Sequence, residues 1–212
     1  MDYNYEIRNF CESKIYPKQP EYLNSFTSLF LCFIAYYNFY YNSSNLKNIN
    51  IYIYSFVFIN GIASFLYHWY GWYFFKLFDE FTMVLPLWLS ISEIMYILNY
   101  KNYKIVGITL FNVLFLIFDV FIWFDFIFPL LFGLEFLTII YFYNKAIKLY
   151  PDKTNDGIKG IIICSSAGLI WYITEFLCNK YLIFGHSLWH IGIGYGIHYL
   201  TNYFNQLKIK QI

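Results

Sequence analysis

The sequence predicts an all-α protein, a bundle of seven helices crossing a membrane, and three observations carry that prediction. The first is composition. Of 212 residues 59% are hydrophobic and only 13% charged, about half the charge of a soluble domain, with 25 Phe, 24 Tyr, 6 Trp and a mean hydropathy of +0.46. The second is that apolar stretches recur at the roughly twenty-residue length a helix needs to cross a bilayer. The third is that the charged residues collect between those stretches. A net charge of +1 with no basic cluster excludes nucleic acid as an expected partner. The first twenty residues are polar and mixed in charge, so no signal peptide is visible.

Taken in order, residues 1–22 form a polar arm, broken by Pro17 and Pro20 and too charged to enter hydrocarbon. The spans follow near 23–41, 50–68, 80–98, 104–120, 124–143, 158–178 and 187–205, and together with the arm they make one domain over 1–212. The fourth and fifth are almost continuous. As one helix, 104–143 would be about 60 Å long, twice the hydrocarbon thickness, so the chain is expected to turn back near Asp119 and Asp125.

Seven spans put the termini on opposite sides. Arg8, Lys14, Lys18, Lys76 and Lys180 then share the side of the N-terminus, and the other nine Lys share the side of the C-terminus. The positive-inside rule therefore predicts a cytosolic C-terminus and an N-terminus in the lumen or outside. On this map Cys32 and Cys164 lie inside spans as inert thiols, whereas Cys11 and Cys178 fall on the lumenal side. There they either pair or stay free, which spacing alone does not decide. Asn42-Ser43-Ser44 is a glycosylation acceptor pattern in a predicted cytosolic loop, where it is expected to stay unmodified.

The chain is organised around its last apolar segment, Gly185–Leu200. It sets His186 and His190 one turn apart on one helix face. Two imidazoles in hydrocarbon are costly and ask for a reason, and a metal is the simplest one, against helix packing or an interspan hydrogen bond. Catalytic zinc takes three protein ligands and leaves a position for water, and His68 is the third candidate. Ser64 lies one turn before it and Asp79 follows. His68 closes span two, Asp79 opens span three and His186 opens span seven, all at the same non-cytosolic end. A helix continuous from His68 would carry Asp79 about 16 Å away, so a break is expected between them, at Gly71.

With three imidazoles holding zinc, bound water can act as a nucleophile near neutral pH. Asp79 could take its proton or orient it, and Ser64 could donate to the oxyanion of an attacked carbonyl. These are the parts of an amidase or esterase working in a membrane. The competing assignment is structural: Ser64 bonds back to its own helix and Asp79 caps span three. Gly192-x-x-x-Gly196 suits close helix approach, and His198 and Glu175 suit interspan packing.

Several segments carry a resemblance to a known family: Cys11-Glu12, EYLNSFTS at 21–28, GIASFLYH at 61–68, FDEFTM at 78–83 and HSLWHIGIGYG at 186–196. In this order and spacing the sequence resembles the alkaline ceramidases, within a superfamily of seven-helix membrane hydrolases that includes the adiponectin-receptor-like proteins. The resemblance implies zinc (Zn2+) on His68, His186 and His190, with Ser64 and Asp79 beside it, and a Cys11–Cys178 disulfide. It also implies calcium (Ca2+) held by the arm, at positions matching Asn9, Phe10, Glu12, Lys14 and Glu21. Here the sequence departs from the family's pattern. Asn9 replaces a carboxylate, Lys14 puts an ammonium where an oxygen ligand is expected, and Glu21 comes two residues early. Either the remaining oxygens hold calcium weakly, or Lys14 fills the site and pairs with them.

The function this implies is a zinc-dependent amidohydrolase in the endoplasmic reticulum or Golgi membrane, cleaving ceramide or a related amide lipid to a sphingoid base and a fatty acid. The alternatives are a receptor-like or other-lipid member of the superfamily with weak or no hydrolysis, and a metal-free scaffold or transporter.

Overall fold

The computed structural model describes residues 9–42, 48–102, 106–107, 109–110, 112–114, 117, 127–151 and 154–207. The described residues are helical almost throughout, and none is in a strand. A short helix α1 (Cys11–Ile15) precedes six long ones: α2 (Tyr22–Asn42), α3 (Asn48–Tyr70), α4 (Tyr73–Ile97), α5 (Ile127–Leu149), α6 (Thr154–Phe176) and α7 (Gly185–Gln206). The described residues between 106 and 117 are helical as well, so the seven expected spans have their counterparts. The expected reversal at Asp119 and Asp125 lies outside the described residues, as do Ser43 and Ser44 of the acceptor pattern.

Among the described residues, α3, α4, Phe128–Leu149 of α5 and Asn155–Phe176 of α6 are long and apolar enough to cross a membrane. Helices α2 and α7 also carry buried polar side chains, including Asn24, Ser28 and Asn38 on one and His186, His190 and Thr201 on the other. These turn inward, while Phe26, Phe33 and Tyr40 on α2 and Leu188 and Tyr195 on α7 lie exposed on the outer surface. The molecule is an all-α membrane protein.

Two local features set the frame. Gly71 has φ 68° and its N–H bonds the Tyr67 carbonyl at 2.7 Å, so α3 ends there and α4 begins two residues later. The left-handed backbone is open to glycine at no steric cost. Helix α4 therefore starts earlier than the expected 80, because one residue beyond Gly71 completes the reversal and the aromatic run 73–78 is already helical. Its other end is a Schellman motif: Asn99 has φ 60°, with Tyr100 N–H on Met95 O and Asn99 N–H on Tyr96 O.

The second feature is the contact of α6 with α7. A Cβ on Gly192 would stand 2.5 Å from that of Ala167, and one on Gly196 would stand 2.1 Å from the Cys164 sulfur. The glycine pair thus brings the two backbones together, as its spacing predicts. Packing then runs α6 to α7, α7 to α2, α2 to α3, α3 to α4 and α4 to α5. The close-packed core sits at the end of the bundle away from the histidines. It is built from Ile53 and Tyr54 on α3, Ile91 and Ile94 on α4, Tyr143 and Ala146 on α5, and Tyr203 and Phe204 on α7.

Candidate metal centre

The chain reversal at Gly71 and the start of α7 meet at one end of the bundle, and there His68, His186 and His190 come together. Their ring centroids are 4.8, 5.4 and 4.6 Å apart, and one ligand nitrogen from each lies within 4.8 Å of the others. All three are buried, His68 completely. This group could hold a metal ion. Among the described residues no other three His, Cys, Asp or Glu side chains gather in this way.

The surroundings assign a nitrogen to each ring. The Glu21 carboxylate takes a hydrogen bond from His68 Nδ1 at 2.5 Å, with both side chains wholly buried. That fixes the tautomer in which Nε2 is offered to the cluster, the carboxylate–histidine arrangement usual behind metal ligands. The Thr27 hydroxyl donates to the Leu23 carbonyl at 2.6 Å, so its oxygen receives His190 Nδ1–H at 3.1 Å and Nε2 again faces the cluster. His186 Nδ1 is buried with no hydrogen-bond partner among the described residues. An ion would complete it, and neutral imidazole nitrogens are suitable donors for zinc. The residues present therefore fit a metal.

Ser64 and Asp79 adjoin the cluster. Ser64 Oγ lies 3.5 Å from His190 Nε2 and is hydrogen-bonded to Asp79. Asn60, one turn before Ser64, donates to Asp79 Oδ1 at 2.9 Å and to Thr82 Oγ1 at 3.1 Å. Asp79 sits inside α4, whose N-cap position is Trp72, so its carboxylate is not a helix cap. A cavity of about 220 Å³ opens at His186, His190, Ser64 and Asp79 and runs along α7 past Trp189, Ile193 and Ile197.

The arm residues go to different tasks. Asn9 and Lys14 are exposed. The Phe10 carbonyl accepts Lys14 N–H at 3.0 Å and Ser13 Oγ at 3.0 Å, while its ring packs on His68 and His186 at 5.0 and 4.3 Å. Glu12 accepts the N–H groups of Leu23 at 2.8 Å and Asn24 at 3.0 Å, capping α2 from another helix. Burial pushes its carboxyl above the usual range, against those two amide donors. Glu21 is occupied at His68. The Cys11–Cys178 disulfide is formed, with Cα atoms 5.3 Å apart, and the Cys11 N–H donates to Glu175 Oε2 at 2.6 Å. His198 bonds Asn38 and Asn202, a packing role. Cys32 and Cys164 are free thiols.

Asn60, Thr27 and the ring of Phe10 are additional to the residues expected from the sequence, and Glu21 is bonded to His68. Asn60 was within reach, since Asn60, Ser64 and His68 form one i, i+4 ladder. Glu21, Asn24 and Thr27 form a polar stripe at helical spacing on α2, but nothing local says what they face.

Fold and centre together define a class: polytopic all-α membrane proteins with a buried tri-histidine cluster able to hold a metal ion. The Ceramidase family model matches residues 7–211, essentially the whole chain. The protein belongs to that family and is a ceramidase-like hydrolase. No individual curated protein matches it closely.

Proposed function

We propose that this protein is a zinc-dependent amidohydrolase that cleaves the amide of ceramide to a sphingoid base and a fatty acid. The observation that carries the proposal is the convergence of His68, His186 and His190 with Ser64 and Asp79 at the mouth of an apolar cavity. When bound, zinc supplies a Lewis acid that polarises a carbonyl and brings water to nucleophilic strength near neutral pH.

The chain's own groups do the rest. Asp79, held by Asn60 and Ser64, accepts the proton of the attacking water and returns it to the leaving nitrogen. Once Asp79 carries that proton, the Ser64 hydroxyl is free to turn and donate to the oxygen on which negative charge develops. Glu21 and Thr27 hold the imidazoles in register. Phe10 and Trp171 cover His186 and keep bulk water away from it. One water is consumed, and an amide becomes a carboxylic acid and an amine. A disulfide in the arm fits an oxidising compartment, which supports a lumenal or exterior metal end and a cytosolic C-terminus, in the endoplasmic reticulum or Golgi.

The test uses the purified full chain, with zinc content by elemental analysis and fatty acid release from ceramide by mass spectrometry. One zinc per chain with release that is lost on chelation and restored by zinc is the expected result. Zinc without release from any ceramide would favour a receptor-like relative, and neither zinc nor release would reduce the bundle to a scaffold.

A further inference from the structure

The cavity below the histidines has a floor, and three helices place it at the same depth. Along α3, α4 and α7 the lining residues farthest from the metal end are Ile53, Ser90 and Thr201. Eleven residues separate Ile53 from Ser64, Ser90 from Asp79, and Thr201 from His190. At the helical rise each interval spans about 16 Å.

Beneath that level the bundle is closed. The Tyr54 hydroxyl is bonded to that of Thr201, and the Tyr143 hydroxyl donates to the Leu200 carbonyl at 3.3 Å. Both rings are fully buried and belong to the close-packed core with Ile94 and Phe204. Between mouth and floor the walls are hydrocarbon and aromatic, with Val57, Leu87, Phe132, Phe136, Ile193 and Ile197.

The chemistry of a ceramide decides which of its chains enters. The substituent on the carbonyl carbon is hydrocarbon from its first atom. The substituent on nitrogen carries two hydroxyls before its hydrocarbon begins, and such groups lose hydration without gaining partners against apolar walls. The acyl chain is therefore the one that descends, leaving the base toward the mouth, where Lys76 and Glu80 line the cavity.

We propose that Ile53, Ser90 and Thr201 form a length gauge for the acyl chain. An extended chain advances about 1.2 Å per bond, so a depth of about 16 Å admits an acyl group of about 12–14 carbons. Longer chains must displace the packed Tyr54–Thr201 layer. This rests on the amidohydrolase reading and gives it a substrate preference.

Two readouts on the purified full chain test it: affinity for saturated fatty acids of 8–20 carbons, and turnover of ceramides varied first in the acyl chain and then in the base. Affinity should rise by up to about fourfold per methylene and break at about 12–14 carbons. Ile53→Ala should move the break outward by about two carbons and Ser90→Leu inward by about three, by the length of side chain removed or added. The base series should keep its profile in both variants. A profile without a break, a break that neither variant moves, or one that moves only in the base series would overturn the gauge. Ceramide turnover without a break leaves the hydrolase standing and removes the gauge. A movable break for fatty acids with no ceramide turnover does the reverse.

Discussion

A histidine buried in a membrane protein is stable when both ring nitrogens have partners, and this centre meets that need asymmetrically. His68 has a carboxylate behind it, His190 a threonine hydroxyl, and His186 the open nitrogen that an ion would complete. The three ligands and their neighbours should therefore separate by readout. His190→Ala is expected to abolish turnover and lower bound zinc. Asp79→Asn should cut turnover by about 10²–10⁴ with zinc retained, because it removes proton transfer only. Glu21→Gln should weaken zinc about 10–100-fold in a chelator competition, because it removes the charge behind a ligand. Equal zinc affinity in Glu21→Gln and the parent would show that the carboxylate does not serve the ion. The histidines and Ser64 were legible as residues because i, i+4 spacing in an apolar helix is unusual for polar groups, and Asp79 as a carboxylate opening the next span at the same end. The partner of Glu21 was not, since a contact across 47 residues leaves no periodic trace.

Helix lengths were legible from hydrophobic runs, but the ends were decided by single residues. Span three was expected to open near 80, where the aromatic run gives way to charge. The structure opens it at Tyr73, because Gly71 turns the chain at once. That turn lets Asp79 return beside Ser64 instead of lying about four turns beyond it along a continuous helix. Gly71→Ala should accordingly cost about 1–2 kcal/mol, the penalty of an L side chain in left-handed backbone, read as a lower thermal midpoint. It should also reduce turnover more than zinc content, since Asp79 moves and the imidazoles remain. An unchanged midpoint would mean that the turn adjusts without strain. The α6–α7 contact was more legible, because Gly192 and Gly196 announce close approach by spacing alone.

Across the molecule the two ends of the bundle do different work: one is close-packed, the other keeps polar groups and a cavity beneath a covering arm. That arm is held by Cys11–Cys178, by Glu12 at the start of α2 and by the Cys11 amide on Glu175. Replacing both cysteines by serine frees a loop of 167 residues. Loop-closure entropy sets the cost at no more than about 5 kcal/mol, and less where the bilayer already restrains the chain. The expected outcome is a lower thermal midpoint and weaker turnover with one zinc per chain retained, since the three ligands stand on α3 and α7. Loss of zinc in that variant would show that the arm builds the centre instead of covering it.

The link from Cys11 to Cys178 also constrains biosynthesis. Cys11 can be fastened only after the 167 residues up to Cys178 have been made, and His68 gains its two histidine companions only when α7 is inserted. Until then the Glu21–His68 pair stands without His186 and His190 beside it. A nascent chain stalled before Gly185 would carry that pair with two of the three metal-ligand candidates still missing.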